Sequence, residues 1–175
     1  VTMFAAKPKS MTLTLRVLAR LLSYPDAALR AHLDEMRDAL RAEQALSAPR
    51  LAEIEALIAS IERQSAIDAE ADYVQLFDSG RSTSLHLFEH VHGDSRDRGP
   101  AMIDLVRTYE QAGLFLGEGQ MPDHLPVVLE YASTQPPREA RAFLGEMAHL
   151  FNAIFGALQQ RESAYAGVLG ALLEL

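Results

Sequence analysis

The chain contains no cysteine among its 175 residues. This absence excludes a disulfide framework, thiolate-rich zinc sites, iron–sulfur ligation and thiol nucleophiles. Basic clusters are also missing, because 24 acidic side chains outnumber 16 basic ones and the formal net charge is −8. Since affinity for nucleic acids comes largely from clustered lysine and arginine, nucleic-acid binding is disfavoured.

Long apolar runs and common catalytic motifs are absent as well. The longest apolar stretch, 164–173, is about half of the roughly 20 residues that cross a bilayer, so we predict no membrane span. Residues 1–11 carry two lysines but no secretory cleavage site, so no signal peptide is predicted. The sequence matches no phosphate loop, dinucleotide fingerprint, nucleophile elbow or two-histidine zinc-protease motif. No catalytic residue is therefore predicted.

The sequence does contain helical periodicity. Apolar residues recur at helical spacing in almost every segment, and proline, glycine or a capping residue marks the breaks. We predict an all-α protein with seven to nine helices in one domain over 1–175, with 1–10 as a flexible N-terminus. The predicted apolar stripes run from Leu15 to Leu22, from Leu29 to Leu40, from Leu51 to Ile61 and on to Phe77, from Met102 to Tyr109, from Leu125 to Leu129, from Ala140 to Leu158 and from Tyr165 to Leu172.

Ionisable residues are densest over 73–99, where a further helix is predicted over 82–92. On such a helix His86 and His90 would share a face, and His92 or Asp94 could supply a third metal ligand. Histidines that hydrogen-bond at a helix end are the favoured interpretation, since a functional metal site also needs an organised second shell. A helical metalloenzyme remains an alternative.

Two other groups have both a structural and a functional interpretation. The loop 94–99 alternates in charge, and it either ties its own turns together, which is favoured, or forms a polar rim that contacts a partner. Tyr73, Leu76 and Phe77 lie on one helical face, and such a stripe is more often core than binding pocket. Asp123 is predicted to be the N-cap of the next helix, with His124 an exposed or capping neighbour in its first turn.

Six segments together resemble a known family: 21–29, 73–81, 84–99, 109–114, 122–126 and 129–131. They are similar to the respiratory nitrate reductase molybdenum cofactor assembly chaperones, the NarJ-type or delta-subunit family of the molybdoenzyme maturation chaperones. The specific part is the run Phe-Glu-His-Val-His-Gly followed by Ser-Arg-Asp-Arg-Gly within 84–99. Two signatures of the wider group are present in order, an aromatic-x-x-Leu-Phe at 73–77 and a glutamate, Glu118, before the Pro-Asp-His of 122–124.

The resemblance implies a cytoplasmic, non-catalytic chaperone with no cofactor or metal of its own. Its implied partner is the apo catalytic (alpha) subunit of nitrate reductase, bound largely through that subunit's N-terminal segment before the molybdenum cofactor is inserted. The implied partner-binding residues are Tyr73, Leu76, Phe77, Arg81, Glu89, His90, Arg96, Asp97, Tyr109, Asp123, His124 and Tyr131. A chaperone of a related molybdoenzyme and a self-associating structural protein remain alternatives.

Overall fold

The computed structural model describes residues 9–91 and 95–175. Within these ranges the protein is all-α, with ten α-helices, one 3₁₀ turn and no strand, which confirms the predicted class. Residues 1–8 of the predicted flexible N-terminus lie outside the described ranges. The helices are α1 (Thr12–Leu21), α2 (Ala27–Ala31), α3 (Leu33–Glu43), α4 (Ala48–Arg63), α5 (Ala66–Phe77), α6 (Arg98–Gln111), α7 (Leu125–Ser133), α8 (Pro137–Glu146), α9 (Ala148–Gln160) and α10 (Ala166–Glu174), and the 3₁₀ turn is Leu87–His90.

Side-chain caps determine where three of the helices begin. The carboxylate of Asp26 accepts the Leu29 N–H at the start of α2. Ser47 and Ser65 accept backbone N–H groups in the first turns of α4 and α5 in the same way. Each cap satisfies a backbone donor that the helix itself leaves unpaired.

Three predicted stripes are each divided between two helices, and nine of the ten described α-helices have seven or more residues, in agreement with the predicted seven to nine. The 29–40 stripe breaks at His32, the stripe from Ala140 breaks at Met147, and the extended Gln64 separates α4 from α5. Apolar spacing does not show these breaks because the same side of the chain faces the core before and after each one. The predicted apolar stripe continues into α5 through Ile67 and Val74, but this part of the prediction was wrong. Ile67 is 77% exposed and Val74 is 42% exposed.

The predicted helix over 82–92 is also wrong. His86 has extended backbone angles, and only the short 3₁₀ turn follows it. The Leu87 N–H donates to the Asp123 carbonyl at 3.0 Å, and the Leu125 N–H donates to the Leu85 carbonyl at 2.8 Å. These two bonds form one antiparallel bridge to the residues before α7. The backbone groups of this segment are thus satisfied by a distant segment instead of by a helix.

The core is centred on α1, which packs most extensively on α7 and also contacts α3 and α10. Leu15, Leu18 and Leu21 of α1 are fully buried, and each contributes about 1.5–3 kcal/mol by leaving water. The Tyr73 hydroxyl, at the α5 edge of this core, donates to the Leu22 carbonyl at 2.6 Å. None of the helices in the described ranges is long and apolar enough to cross a membrane.

Candidate functional site

A hollow of about 640 Å³ lies between α1 and α7. One wall is the face of α1 that carries Arg16, Ala19 and Arg20, with Ser23 just past the end of this helix, and α7 forms another wall. His86 and the segment before α7 close its floor and one side. The full lining is Arg16, Ala19, Arg20, Ser23, His86, Gly119, Gln120, Met121, His124, Pro126, Val127 and Glu130.

A smaller hollow of about 130 Å³ continues from the first. The two share Gln120, Val127 and Glu130, so they form one surface, which we call the α1–α7 groove. The smaller hollow is lined by Tyr109, Leu114, Phe115, Leu116, Gln120, Val127, Glu130, Tyr131 and Thr134. Phe115 is 77% exposed there. A large exposed aromatic side chain beside an apolar hollow is typical of a surface that contacts a partner.

Positive backbone angles position the loop that carries Phe115. Gly113 ends α6 with a φ of 79°, and Gly119 has a φ of 76°. Glycine adopts this left-handed conformation without steric cost, whereas other residues are strained by it. The two glycines therefore let the chain turn away from α6 and return to the Asp123 segment.

A second, more polar hollow of about 420 Å³ adjoins the groove at His86. Its lining includes Arg81, Glu89 and Arg98, together with Ser84 and His86. His86 is the only side chain that lines both, among the residues of these two described hollows. Two of the predicted partner-binding residues, Arg81 and Glu89, thus lie next to the groove, on the other side of the His86 ring.

Asp123 connects the 122–126 segment with the 84–99 segment. Its side chain is fully buried, and its Oδ2 accepts the Phe88 N–H at 3.0 Å. Its Oδ1 has no hydrogen-bond partner in the described part of the chain and lies 3.9 Å from Nδ1 of His86. The rings of His86 and His124 stack with their centroids 4.7 Å apart. One carboxylate therefore fixes both the 3₁₀ turn and the histidine between the two hollows.

The electrostatics of this group follow from its burial and its pairing. Interaction with the Asp123 carboxylate raises the pKa of His86. Burial alone would raise the pKa of Asp123, but His86 and the Phe88 N–H outweigh burial and hold that pKa below its ordinary value. Burial, reinforced by the neighbouring His86, lowers the pKa of His124 to about 4. At neutral pH the group is an ionised carboxylate below a stacked pair of histidines, of which His124 is neutral.

Four of the predicted partner-binding residues lie in the interior. Tyr73 and Phe77 pack in the core with Tyr165. The buried Tyr109 donates its hydroxyl to the Pro122 carbonyl at 2.7 Å and packs on the ring of Tyr131. Asp123 is the fourth buried residue. In the structure these residues support the surface around the groove, and contact between their side chains and a partner stays a prediction.

The other eight predicted residues reach the surface to different degrees. Arg81, Arg96 and Asp97 are exposed, whereas Leu76, Glu89, His90, His124 and Tyr131 are partly exposed. His124 and Tyr131 line the α1–α7 groove. Arg81 and Glu89 line the polar hollow, and Leu76 lines a separate hollow between α4 and α5. The predicted set is therefore spread over several surfaces.

Two sequence-based assignments in this region were wrong. Asp123 does not cap α7, because His124 occupies the N-cap position and the Asp123 carboxylate points to Phe88 instead. His86 and His90 do not share a helical face, because His86 precedes the 3₁₀ turn and Nε2–H of His90 donates to the Ser84 carbonyl at 2.8 Å. The proposed third ligands, His92 and Asp94, lie outside the described residues. Within the described ranges no group of three or more acidic or histidine side chains could hold a metal ion.

Sequence reasoning missed several residues of the groove. Arg16 and Arg20 sit four apart on α1, a spacing that places both on one helix face, but α1 was considered only for its apolar stripe. Phe115 lies in a glycine-rich segment outside any helical pattern. Val127 and Glu130 lie on the face of α7 opposite the predicted stripe. An aromatic residue between two glycines was the one signal that could have been used.

Comparison with known proteins assigns the chain to one family. The family model described as nitrate reductase delta subunit matches residues 22–170. The chain belongs to the nitrate reductase delta subunit family. The match covers the α7 side of the groove, the polar hollow and both signature segments, and it confirms the resemblance inferred from the sequence.

Individual members of the delta subunit family are named as chaperones. The nitrate reductase molybdenum cofactor assembly chaperone NarJ of Escherichia coli (strain K12) is 46% identical over 159 residues, which cover 91% of this chain and 67% of that protein. A Bacillus subtilis (strain 168) protein assigned the same role is 30% identical over 164 residues, covering 92% of this chain and 86% of that protein. Since these relatives are named as assembly chaperones, they confirm the expectation that the protein is not an enzyme.

A solved structure has the same fold. A crystal structure from Archaeoglobus fulgidus, assigned to the redox enzyme maturation proteins, superposes with a TM-score of 0.64 at 18% identity. The superposition covers 99% of this chain and 96% of that chain. At this identity the likeness establishes the helical architecture shared with the delta subunit family.

Proposed function

We propose that this protein is a chaperone that binds the apo catalytic subunit of a nitrate reductase and supports insertion of its molybdenum cofactor. The observation that carries the proposal is the 46% identity, over 91% of the chain, to the nitrate reductase assembly chaperone of Escherichia coli. We further propose that it acts in the cytoplasm, as one helical domain, and that it recognises the N-terminal segment of the catalytic subunit.

The α1–α7 groove is the surface that we assign to that segment. Arg16, Ala19 and Arg20 of α1 and Val127 and Glu130 of α7 line the larger hollow at helical spacing, so two helix faces border a single channel there. A channel of this kind suits an amphipathic helix whose apolar side chains enter the groove. Met121, Val127 and Phe115 supply apolar contact area, and Phe115 is exposed in the unbound protein.

The test is calorimetric titration with peptides tiled from the N-terminus of a nitrate reductase catalytic subunit from the same organism. We expect one peptide region to bind with a negative heat-capacity change, which is the signature of apolar burial. Val127→Glu should weaken that binding by at least about tenfold, because it places a charge where both hollows meet. Phe115→Ser should weaken it as well, with little loss of stability from so exposed a side chain.

Ile103→Glu provides the matched control. Ile103 is 52% exposed on α6 and does not line the groove, so the same kind of substitution there should leave peptide affinity unchanged. If Val127→Glu and Ile103→Glu weaken peptide binding equally, the segment of the catalytic subunit binds outside the α1–α7 groove. A related molybdoenzyme as client would appear as binding of peptides from that enzyme and not from nitrate reductase.

A further inference from the structure

The larger hollow is the end of the groove that α1 lines, and we call it the α1 end. This end carries positive charge. Arg16 and Arg20 line it one helical turn apart, and both side chains are exposed. Neither forms an ion pair with another described residue. His86 and the hydroxyl-bearing Ser23 line the same end. In a protein with a formal net charge of −8, this end of the groove reverses the overall sign of charge.

The Phe115 end has a different character. Leu114, Phe115 and Leu116 line it, and Tyr131 closes its far side. Glu130 lines both hollows and therefore lies between the arginine end and the aromatic end. An anionic group of a ligand would be repelled by this carboxylate at the middle of the groove and attracted to the two guanidinium groups at the α1 end. The groove is thus asymmetric along its length.

We propose that Arg16 and Arg20 bind an acidic side chain of the client segment while an apolar side chain of the same segment packs on Phe115. The inference rests on the proposed function, because it concerns the segment bound in the α1–α7 groove. Guanidinium groups match a carboxylate with two parallel N–H donors, which gives the contact a defined geometry. The pair therefore sets the register and direction of the client, whereas the apolar contacts supply most of the affinity.

The expected loss of affinity follows from the exposure of Arg16 and Arg20. Charge pairs at an exposed rim contribute little stability and act mainly on orientation, association rate and salt dependence. We expect loss of the pair to weaken binding about five- to tenfold in low salt. The difference should shrink at 0.5 M salt, where exposed charges are screened over a few ångströms.

The experiment is a double-mutant cycle on the tiled peptides, made with amidated C-termini so that the only carboxylates are side chains. In the tightest-binding peptide, aspartate and glutamate are replaced by asparagine and glutamine. This change and the double substitution Arg16→Gln with Arg20→Gln should each weaken binding about five- to tenfold, and together they should weaken it no further than either alone. Arg16→Lys with Arg20→Lys should retain part of the affinity, because the charge remains while the planar fork is lost.

Arg107→Gln is the matched control, since Arg107 is exposed on α6 and lines neither hollow of the groove. Glutamine is a good helix former, and equal thermal unfolding of parent and variants checks the fold. The inference is overturned if the binding peptide has no acidic residue, if neutralising its acids changes nothing, or if the two losses multiply. In those cases peptide binding itself stands, whereas a complete lack of binding by every tiled peptide would refute the proposed function and the inference together.

Discussion

His124 makes the stability of the protein depend on pH in a calculable direction. The pKa of this ring in the folded protein is about 4, against an ordinary 6.5. Between these values the unfolded chain binds a proton that the folded protein does not, so folding stability falls as the pH drops from about 6.5 toward 4. The substitution His124→Gln removes the titrating group and should make the free energy of unfolding fall less steeply over this range.

The gap of about 2.5 pH units corresponds to at most about 2 kcal/mol of lost stability between pH 7 and pH 5. Because the ring is only partly buried, solvent screening reduces the expected difference between parent and variant to about 1 kcal/mol. His86 acts in the opposite direction. Its raised pKa adds stability that is present below about pH 6.5 and is lost as the pH rises through the folded-state value. His86 is present in both proteins, so their comparison isolates His124.

The assay is urea unfolding of both proteins at pH 7, 6 and 5, with equal ionic strength. His149→Gln is the control, because this exposed histidine on α9 is solvated in the folded and unfolded states alike. Equal slopes of stability against pH for the parent and His124→Gln would refute the reasoning. The variant's absolute stability is not the test, because the substitution also removes the stacking with His86.

Three further substitutions test the contacts that hold the groove in place, each by chemical denaturation. Tyr73→Phe should cost about 1–2 kcal/mol, since it leaves the buried Leu22 carbonyl without its donor; a loss below about 0.3 kcal/mol would contradict this role. Asp123→Ala should cost about 3 kcal/mol, well above the roughly 1 kcal/mol of an exposed N-cap, because it strands the Phe88 N–H; a loss near 1 kcal/mol would favour the capping role instead. Gly113→Ala should cost about 1 kcal/mol from its positive φ, and an unchanged midpoint would show that the loop relaxes freely.

Helix positions were predictable where apolar spacing and a local cap agree. Ser47 followed by Pro49 predicts the start of α4, and the structure places the cap at Ser47. The helix break at His32 was not predictable, because no glycine or proline marks it and the apolar spacing continues across it. At Met147 the only nearby break signal is Gly145, but this residue lies inside α8 and the apolar spacing again continues. Local patterns therefore predicted the fold class and the approximate number of helices, but not the positions of these breaks.

The groove was harder to predict because its walls come from distant parts of the chain. Arg20 and Val127 line one hollow although more than 100 residues separate them in sequence. Asp123 illustrates the same limit: an aspartate before a helix normally caps it, but here the tertiary contact with Phe88 takes the carboxylate. Only the family resemblance brought these segments together before the structure did, and it did not name Arg16, Arg20 or Phe115.

The single bridge between His86 and His124 has an evolutionary consequence. Phe88 and Asp123 are 35 residues apart, but neither segment keeps its conformation by local bonds alone. Because the side chain of His86 lies beside the Asp123 carboxylate and stacks on His124, we expect changes at His86 to be accompanied by changes at Asp123 or His124. A chimaera that exchanges only one of the two segments between distant relatives should misfold around the groove, and one that exchanges both should carry the donor's conformation with it.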